Sequence, residues 1–386
     1  MKRVGLVTMA VGFTLAVIFS RVGFANAPLQ TLLTLLHYGV GVAGVAILLR
    51  ECQDAGREAP PWMRFLASPA GRASVALVLV VLLGVLFDAD GAFYKFGTHR
   101  DCLRQASVFG ILACGMTLVI ISGGIDLSVG SVLGLTAVCF SLMSIHWGWS
   151  PLLAVPLALA VGAACGGVSG SLTARFGIQP FIATLAMMVF ARGMAKMASG
   201  GMKISTAVQN IDGTYRYVDV PGIFRAIDSR VLGGNLSVVT VIFLVCAAAT
   251  WVALARHRWG RELYAIGGNA EAARLSGVPV ARSKILAYAA CGMLAAVAGI
   301  CQAAQEQQGD PEAGVAYELT AIAIVVIGGT NLMGGRGGIG LTLIGTLTIG
   351  YLDKILSINA VPEAGRLMLT GIIIVAAVLT QRRRRW

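Results

Sequence analysis

The chain has 386 residues, of which 57% are hydrophobic and only 12% are charged, with a formal net charge of +12. A soluble domain is roughly a quarter charged, so this composition excludes an ordinary soluble globular protein. The positive charge is no nucleic-acid footprint: no basic stripe is interleaved with aromatics, and Lys and Arg gather in alternate polar segments instead.

Taken in chain order, the N-terminus comes first. Lys2 and Arg3, an apolar stretch and Ala25-Asn26-Ala27 imitate a secretory signal. Pro28 is a poor residue to follow a cut, and a second apolar run at 29–49 follows at once. The preferred reading is an uncleaved hydrophobic hairpin over 1–49, which would add two spans; a cleaved signal is the alternative. Residues 50–72 hold Arg50, Arg57, Arg64 and Arg72 and a Pro-Pro pair, and read as a cytoplasmic linker. Apolar runs then recur at about 73–88, 105–122, 128–145, 151–173, 179–198, 237–255, 285–304, 317–328, 338–353 and 366–381. Runs of this length and composition are transmembrane helices. The fold expected is an all-α polytopic membrane protein of about ten core helices. The run 317–328 is short for a crossing, so it is either a half-helix or begins earlier.

With the N-terminus placed in the cytoplasm, the inside segments hold about twice as many Lys and Arg as the outside ones. Both termini and the loop 256–284 are then cytoplasmic, while loops 199–236 and 305–316 face outward. The eight cysteines are scattered without a CxxC pair, the four histidines lie far apart, and neither HExxH nor GxxxxGK[ST] occurs. These absences give no metal site, no disulfide framework, no catalytic constellation and no ATP-binding loop, so no cofactor is expected on this chain.

Four stretches stand out. In 122–138, Gly123 and Gly124 interrupt an apolar run, and Asp126 sits between two spans beside Ser128. An acid there is costly and turns toward protein or a cavity, so Asp126 and Ser128 are candidates to shape a translocation path. The competing reading is a turn at the membrane surface, with Asp126 capping the next helix. The second stretch, 325–345, repeats the first about 205 residues on: Gly328-Gly329 matches Gly123-Gly124, Asn331 matches Asp126, and Gly340-Leu-Thr342 matches Gly134-Leu-Thr136. Such a repeat marks two related halves, with the pathway between them; parallel and inverted relations both stay open. Third, Gly130/Gly134 and Gly162/Gly166/Gly170 have the spacing for close helix packing within the chain. Fourth, in 256–285, Asn269 can cap a two-turn helix carrying Glu271, Ala272, Ala273 and Arg274, stopped by Gly277 and Pro279. So short a helix is marginal alone, and needs a partner surface unless it merely joins two spans.

Glu-Ala-Ala, three residues and Gly, over 271–277, resembles the coupling motif of permease subunits of ABC importers. With "GMTLVIISGGIDLSVGS" (115–131), "QPFIATLAMM" (179–188), "AIGGNAEAARLSGV" (265–278) and "AIAIVVIGGTNLMGGRG" (321–337), the chain over about 73–382 is similar to their ribose/xylose/galactoside branch. The resemblance implies a permease domain over 73–386 that works as a dimer with a second copy or paralogue. It implies a separate ABC ATPase subunit seated on Glu271, Ala272, Ala273, Arg274 and Gly277. It also implies a periplasmic sugar-binding protein docked outside, on an inner membrane. Asp126, Ser128 and Asn331 are then candidate path residues for a neutral sugar, and Gly123, Gly124, Gly328 and Gly329 the glycines that break the helices. A nucleoside, a furanone signal or a branched-chain amino acid is the alternative cargo. An ion-coupled secondary transporter is the different-class alternative, disfavoured by the few acids within the spans.

Overall fold

The computed structural model describes residues 8–9, 11–16, 27–54, 60–209, 214–368 and 371. The first hydrophobic run, most of the last one and the arginine tail therefore lie outside the described residues, apart from short pieces. The described chain divides into two compact units, 1–99 with 347–369 and 100–346 with 370–386.

In the first unit, α1 (Ala27–Asp54) is one 28-residue helix. The segment read as a linker holds the end of α1, a short α2 (Pro61–Ala67) and the start of α3 (Pro69–Leu86). Ser68 ends α2 and caps α3, its hydroxyl accepting from the Gly71 amide at 3.0 Å with Pro69 at the first helical position, where a missing N–H costs nothing. Tyr38 donates to the Leu79 carbonyl at 2.6 Å, tying α1 to α3. Phe93, His99 and Tyr351 form an aromatic cluster.

The second unit is built on long helices: α4 (Phe96–Ile121), α5 (Val129–Ser141), α6 (Pro151–Ala174), α7 (Pro180–Ser199), α9 (Val238–Ala255) and α12 (Val280–Glu306), with α14 (Ile339–Ile358) after the shorter α13 (Tyr317–Gly328). α4 and α14 begin or end in the first unit. α8 (Gly222–Asp228) lies between α7 and α9, and α10 (Arg258–Gly268) and α11 (Ala270–Leu275) between α9 and α12. Among the described residues, eight helices are long and apolar enough to cross a membrane. At 1.5 Å per residue α12 is about 40 Å long. α5 is buried on nearly every side, which places it at the centre of the unit. α6 and α12 pack through small residues: a Cβ at Gly162 would stand 2.3 Å from the Gly292 carbonyl oxygen, and one at Gly166 2.0 Å from that of Tyr288. The stripe Gly162/Gly166/Gly170 thus serves packing inside the chain, as membrane helices use small residues.

The loop between α7 and α9 is folded. An antiparallel hairpin pairs Ala207–Gln209 with Tyr215–Tyr217, and Arg230–Val231 pairs with Leu236–Ser237. Phe224 of α8 is fully buried and stacks on Phe140 of α5, ring centroids 4.9 Å apart. Ion pairs Arg104–Asp228 and Arg230–Asp101 pin the loop to α4.

Candidate functional site

The short helix forms as its sequence requires. The Asn269 side-chain oxygen accepts from the amides of Glu271 and Ala272, both at 3.0 Å. Gly277, at φ 81°, stops it with bonds from Gly277 N to Arg274 O and Val278 N to Ala273 O, the paired pattern that a left-handed glycine permits. Ala273 is buried, while Glu271 and Arg274 are exposed and pair with each other at 2.7 Å. Leu275 is 80% exposed. The helix therefore presents its charged face and one large apolar side chain outward.

The preceding basic segment is a helix too, α10, which the reading by charge missed. Its signal is the spacing of Trp259, Leu263 and Ile266, one apolar face at helical period; Leu263 and Ile266 are buried. Trp259 donates to the Ser283 carbonyl at 3.1 Å, Ser283 donates to Glu262 at 2.6 Å, and Tyr264 donates to the Gly337 carbonyl at 3.0 Å. α10 is thereby fixed both to the start of α12 and to the loop 329–338.

At the joint of α10 and α11 three backbones meet. The Gly335 amide donates to the Ile121 carbonyl at 3.0 Å. A Cβ at Gly267 would stand 1.9 Å from the Ile121 oxygen and 2.4 Å from the Gly335 nitrogen, and one at Gly334 would stand 3.0 Å from the Gly123 Cα. Only glycines permit this approach. The end of α10, on which the charged helix is mounted, is thus in direct backbone contact with both copies of the internal repeat.

The repeat is parallel. α4 and α13 both run toward this junction, and α5 and α14 both run away from it: the Phe109 ring meets Tyr317 at a tilt, centroids 4.5 Å apart, and Thr117 bonds Thr342 at 2.7 Å. Both entering helices end in the same glycine stop, Gly123 at φ 78° and Gly329 at φ 103°, each with the same two closing bonds. This corrects the sequence register by one: Gly123 corresponds to Gly329, so Gly124 stands opposite Thr330 and Gly328 precedes the stop. Gly134-Leu-Thr136 also falls in the second turn of α5, whereas Gly340-Leu-Thr342 falls in the first turn of α14. The longer second loop accounts for the slip.

Asp126 braces the turn that leads into α5, its Oδ1 accepting from the Ser128 amide at 2.9 Å and hydroxyl at 2.6 Å; the amides of the helix's own first turn take no side-chain cap. It does not lie at the surface: the residue is 0% exposed. Cys291 and Tyr288 of α12 and Cys165 of α6 stand around it, and Oδ2 has no hydrogen-bond partner. Burial pushes the carboxyl up from the ordinary carboxylate range, against the Ser128 and Cys291 bonds that favour the charged form. Asn331 behaves otherwise. It accepts from Met333 N and donates to Gly334 O, holding its own partly exposed turn.

Away from the junction, segment 309–316 descends along α5. Gly309 lies against Ala137 and Ser141, and Gly314 against Gly130. α13 therefore starts inside the unit, which explains its 12 residues: it is the half-helix anticipated as one option. The descending segment is strapped by Lys203–Asp310 at 3.0 Å, Lys196–Glu312 at 2.6 Å, and Arg192, which donates to the carbonyls of Pro311 and, at 2.8 Å, Ala313. Ile204 and Gly309 exchange both backbone bonds at 2.8 Å. Arg192 lies within the run 179–198 and is half-buried; the sequence reading passed over it, although a cation inside an apolar span is itself a signal of function.

These parts form a bundle of membrane-crossing helices with an exposed handle at the junction and a strapped segment along α5, the construction of a membrane transport subunit. Residues 100–378 match the family described as branched-chain amino acid transport system / permease component, and the chain belongs to it. It is 40% identical over 311 residues to the ribose import permease protein RbsC of Escherichia coli K12, covering 80% of this chain and 92% of that one. It is 34% identical to the fructose import permease protein FrcC of Rhizobium meliloti, over 81% and 85% of the two chains. The autoinducer 2 import system permease protein LsrD of Yersinia enterocolitica is 35% identical, over 79% and 90%. The resemblance to sugar-branch importer permeases read from the motifs is borne out. No solved structure matches the chain.

Proposed function

We propose that this chain is the membrane permease subunit of an ATP-driven importer that carries a monosaccharide of the ribose type across a bacterial inner membrane. The observation that carries the reading is the junction: an exposed, capped helix whose base touches both halves of the repeat through glycine backbones. A push on α11 there acts directly on the ends of α4 and α13.

On this reading α11 faces the cytoplasm and seats in a separate ATPase subunit through Glu271, Ala272, Ala273, Arg274 and Gly277. The more basic segments support that orientation, with both termini on the same side. A sugar-binding protein docks on the folded loop 199–236 and segment 305–316, and a second copy or paralogue completes the pathway. Asp126 and Ser128 line or brace that pathway. Transport is a conformational equilibrium biased by these partners, with no covalent step in this chain. The relatives named for ribose and fructose import favour a sugar; the autoinducer relative keeps a furanone signal as the second reading.

A mild-detergent pull-down of the tagged chain from its host tests this. An ATPase and a periplasmic binding protein should be recovered, and screening the latter against sugars and furanones names the cargo. Glu271→Lys and Gly277→Pro should leave the chain in the membrane, abolish uptake and lose the ATPase. Normal uptake by both variants would overturn the coupling role.

A further inference from the structure

Between the end of α6, the end of α11 and the start of α12 lies an open groove of about 590 Å³. Arg175, Arg274 and Arg282 line it over Val278, Ile285 and Leu286. Arg274 pairs with Glu271; no carboxylate pairs with Arg175 or Arg282 among the described residues. Arg175 directly follows α6 and Arg282 lies in the first turn of α12. Both therefore stand where spanning helices leave the apolar layer, at the depth of lipid headgroups.

A second groove, of about 340 Å³, shares Leu286 with the first and is lined by Ala163, Ala289 and Met293 between the same two helices. The basic groove thus adjoins, at Leu286, an apolar groove between α6 and α12 that Trp259 of α10 also lines. A free anion would use only the first part. A phospholipid fits both, with its phosphate among the arginines and an acyl chain past Leu286.

We propose that this composite groove binds an anionic phospholipid, its phosphodiester held by Arg175 and Arg282. Basic pockets between membrane helices recognise such headgroups. The inference needs only the membrane location and does not depend on the cargo.

Native mass spectrometry of the full chain, with phosphatidylglycerol and phosphatidylcholine of identical acyl chains, tests it. Wild type should retain phosphatidylglycerol at least about tenfold better. Arg175→Gln/Arg282→Gln should lose that preference, and Arg175→Lys/Arg282→Lys should keep most of it, which separates charge from folding. Leu286→Trp, which blocks the shared slot, should weaken lipid retention with the charges intact. Equal retention of the two lipids by wild type, or an unchanged preference in the Gln variant, overturns the proposal. So does full displacement of phosphatidylglycerol by millimolar inorganic phosphate with Leu286→Trp silent, which would make the groove a free-anion site. A wild-type dimer that Leu286→Trp dissociates, with no lipid preference, assigns the groove to a second copy instead.

Discussion

Asp126 shows how a single residue can be recognised by type and misplaced by position. An acid flanked by glycines and followed by Ser128 announces a helix cap, and the acid does bond Ser128, the residue that leads into α5, though not the helix's own first amides. Its depth was not legible, because burial depends on Tyr288 and Cys291, more than 160 residues away in sequence. The consequence is a pH dependence of definite sign. Burial raises the folded-state pKa above the unfolded carboxylate value, so the folded chain binds the additional proton. The stability from this group is full below the unfolded pKa and falls as pH rises toward the folded one, that is, from about pH 4 upward. Asp126→Asn keeps an oxygen for Ser128 and cannot ionise. The melting temperature of the detergent-solubilised wild type should therefore fall with rising pH relative to Asp126→Asn; parallel curves would remove the buried-acid argument. Asp126→Ala also removes both bonds to Ser128 and should cost about 1–3 kcal/mol at every pH, with lower yield and uptake. Wild-type yield and uptake in that variant would strike Asp126 from the site.

At the scale of elements, α11 and its joint with α10 carry the main claim. Gly267 is the sharpest probe, since a methyl there collides with the Ile121 carbonyl and Gly335 backbone and no flexible side chain can yield. Gly267→Ala should insert in the membrane and still bind the ATPase, because the exposed face of α11 is untouched, yet uptake should fall at least tenfold. Uptake within twofold of wild type would show that the contact transmits nothing. Asn269→Ala, by contrast, should weaken α11 itself by about 1 kcal/mol and so lower ATPase retention, read by the same pull-down. The helix was legible because every signal for it is local: Asn269, Glu271, Gly277 and Pro279 lie within eleven residues. α10 was overshadowed by its own arginines, although Trp259, Leu263 and Ile266 carried the period. The repeat was legible as a pattern, but its register was not. Which glycine turns left-handed is decided by where α4 and α13 exhaust their hydrogen bonds, and α14 starts later after its glycine stop than α5 does.

At the scale of the second unit, the handle at the junction and the strap on segment 309–316 are joined by α5, along which the descending segment runs, and by α13, into which it leads. On the proposed function this segment moves as the pathway opens, and Arg192 is what restrains it. Its guanidinium satisfies two carbonyls in a helix otherwise fit to cross the membrane, while Lys196 and Lys203 add exposed ion pairs of small individual worth. The Asp310 carboxylate, bonded to Lys203, holds that ammonium above the ordinary lysine range, so the Lys203–Asp310 bond persists to alkaline pH and yields first to salt. Arg192→Met matches the span in polarity but leaves the two carbonyls unmet, a loss of about 1.5–3 kcal/mol for bonds to a charged group. We expect normal membrane insertion, retained ATPase, and ATP hydrolysis no longer coupled to uptake, whereas Lys203→Met should leave uptake within about twofold of wild type. Protease nicking of segment 305–316 in the purified protein provides the independent reading: Arg192→Met should be cut markedly faster than wild type. If the two are cut alike and transport equally, the strap is not what restrains this segment, and the resistance to opening lies in the buried contact of Gly314 with Gly130.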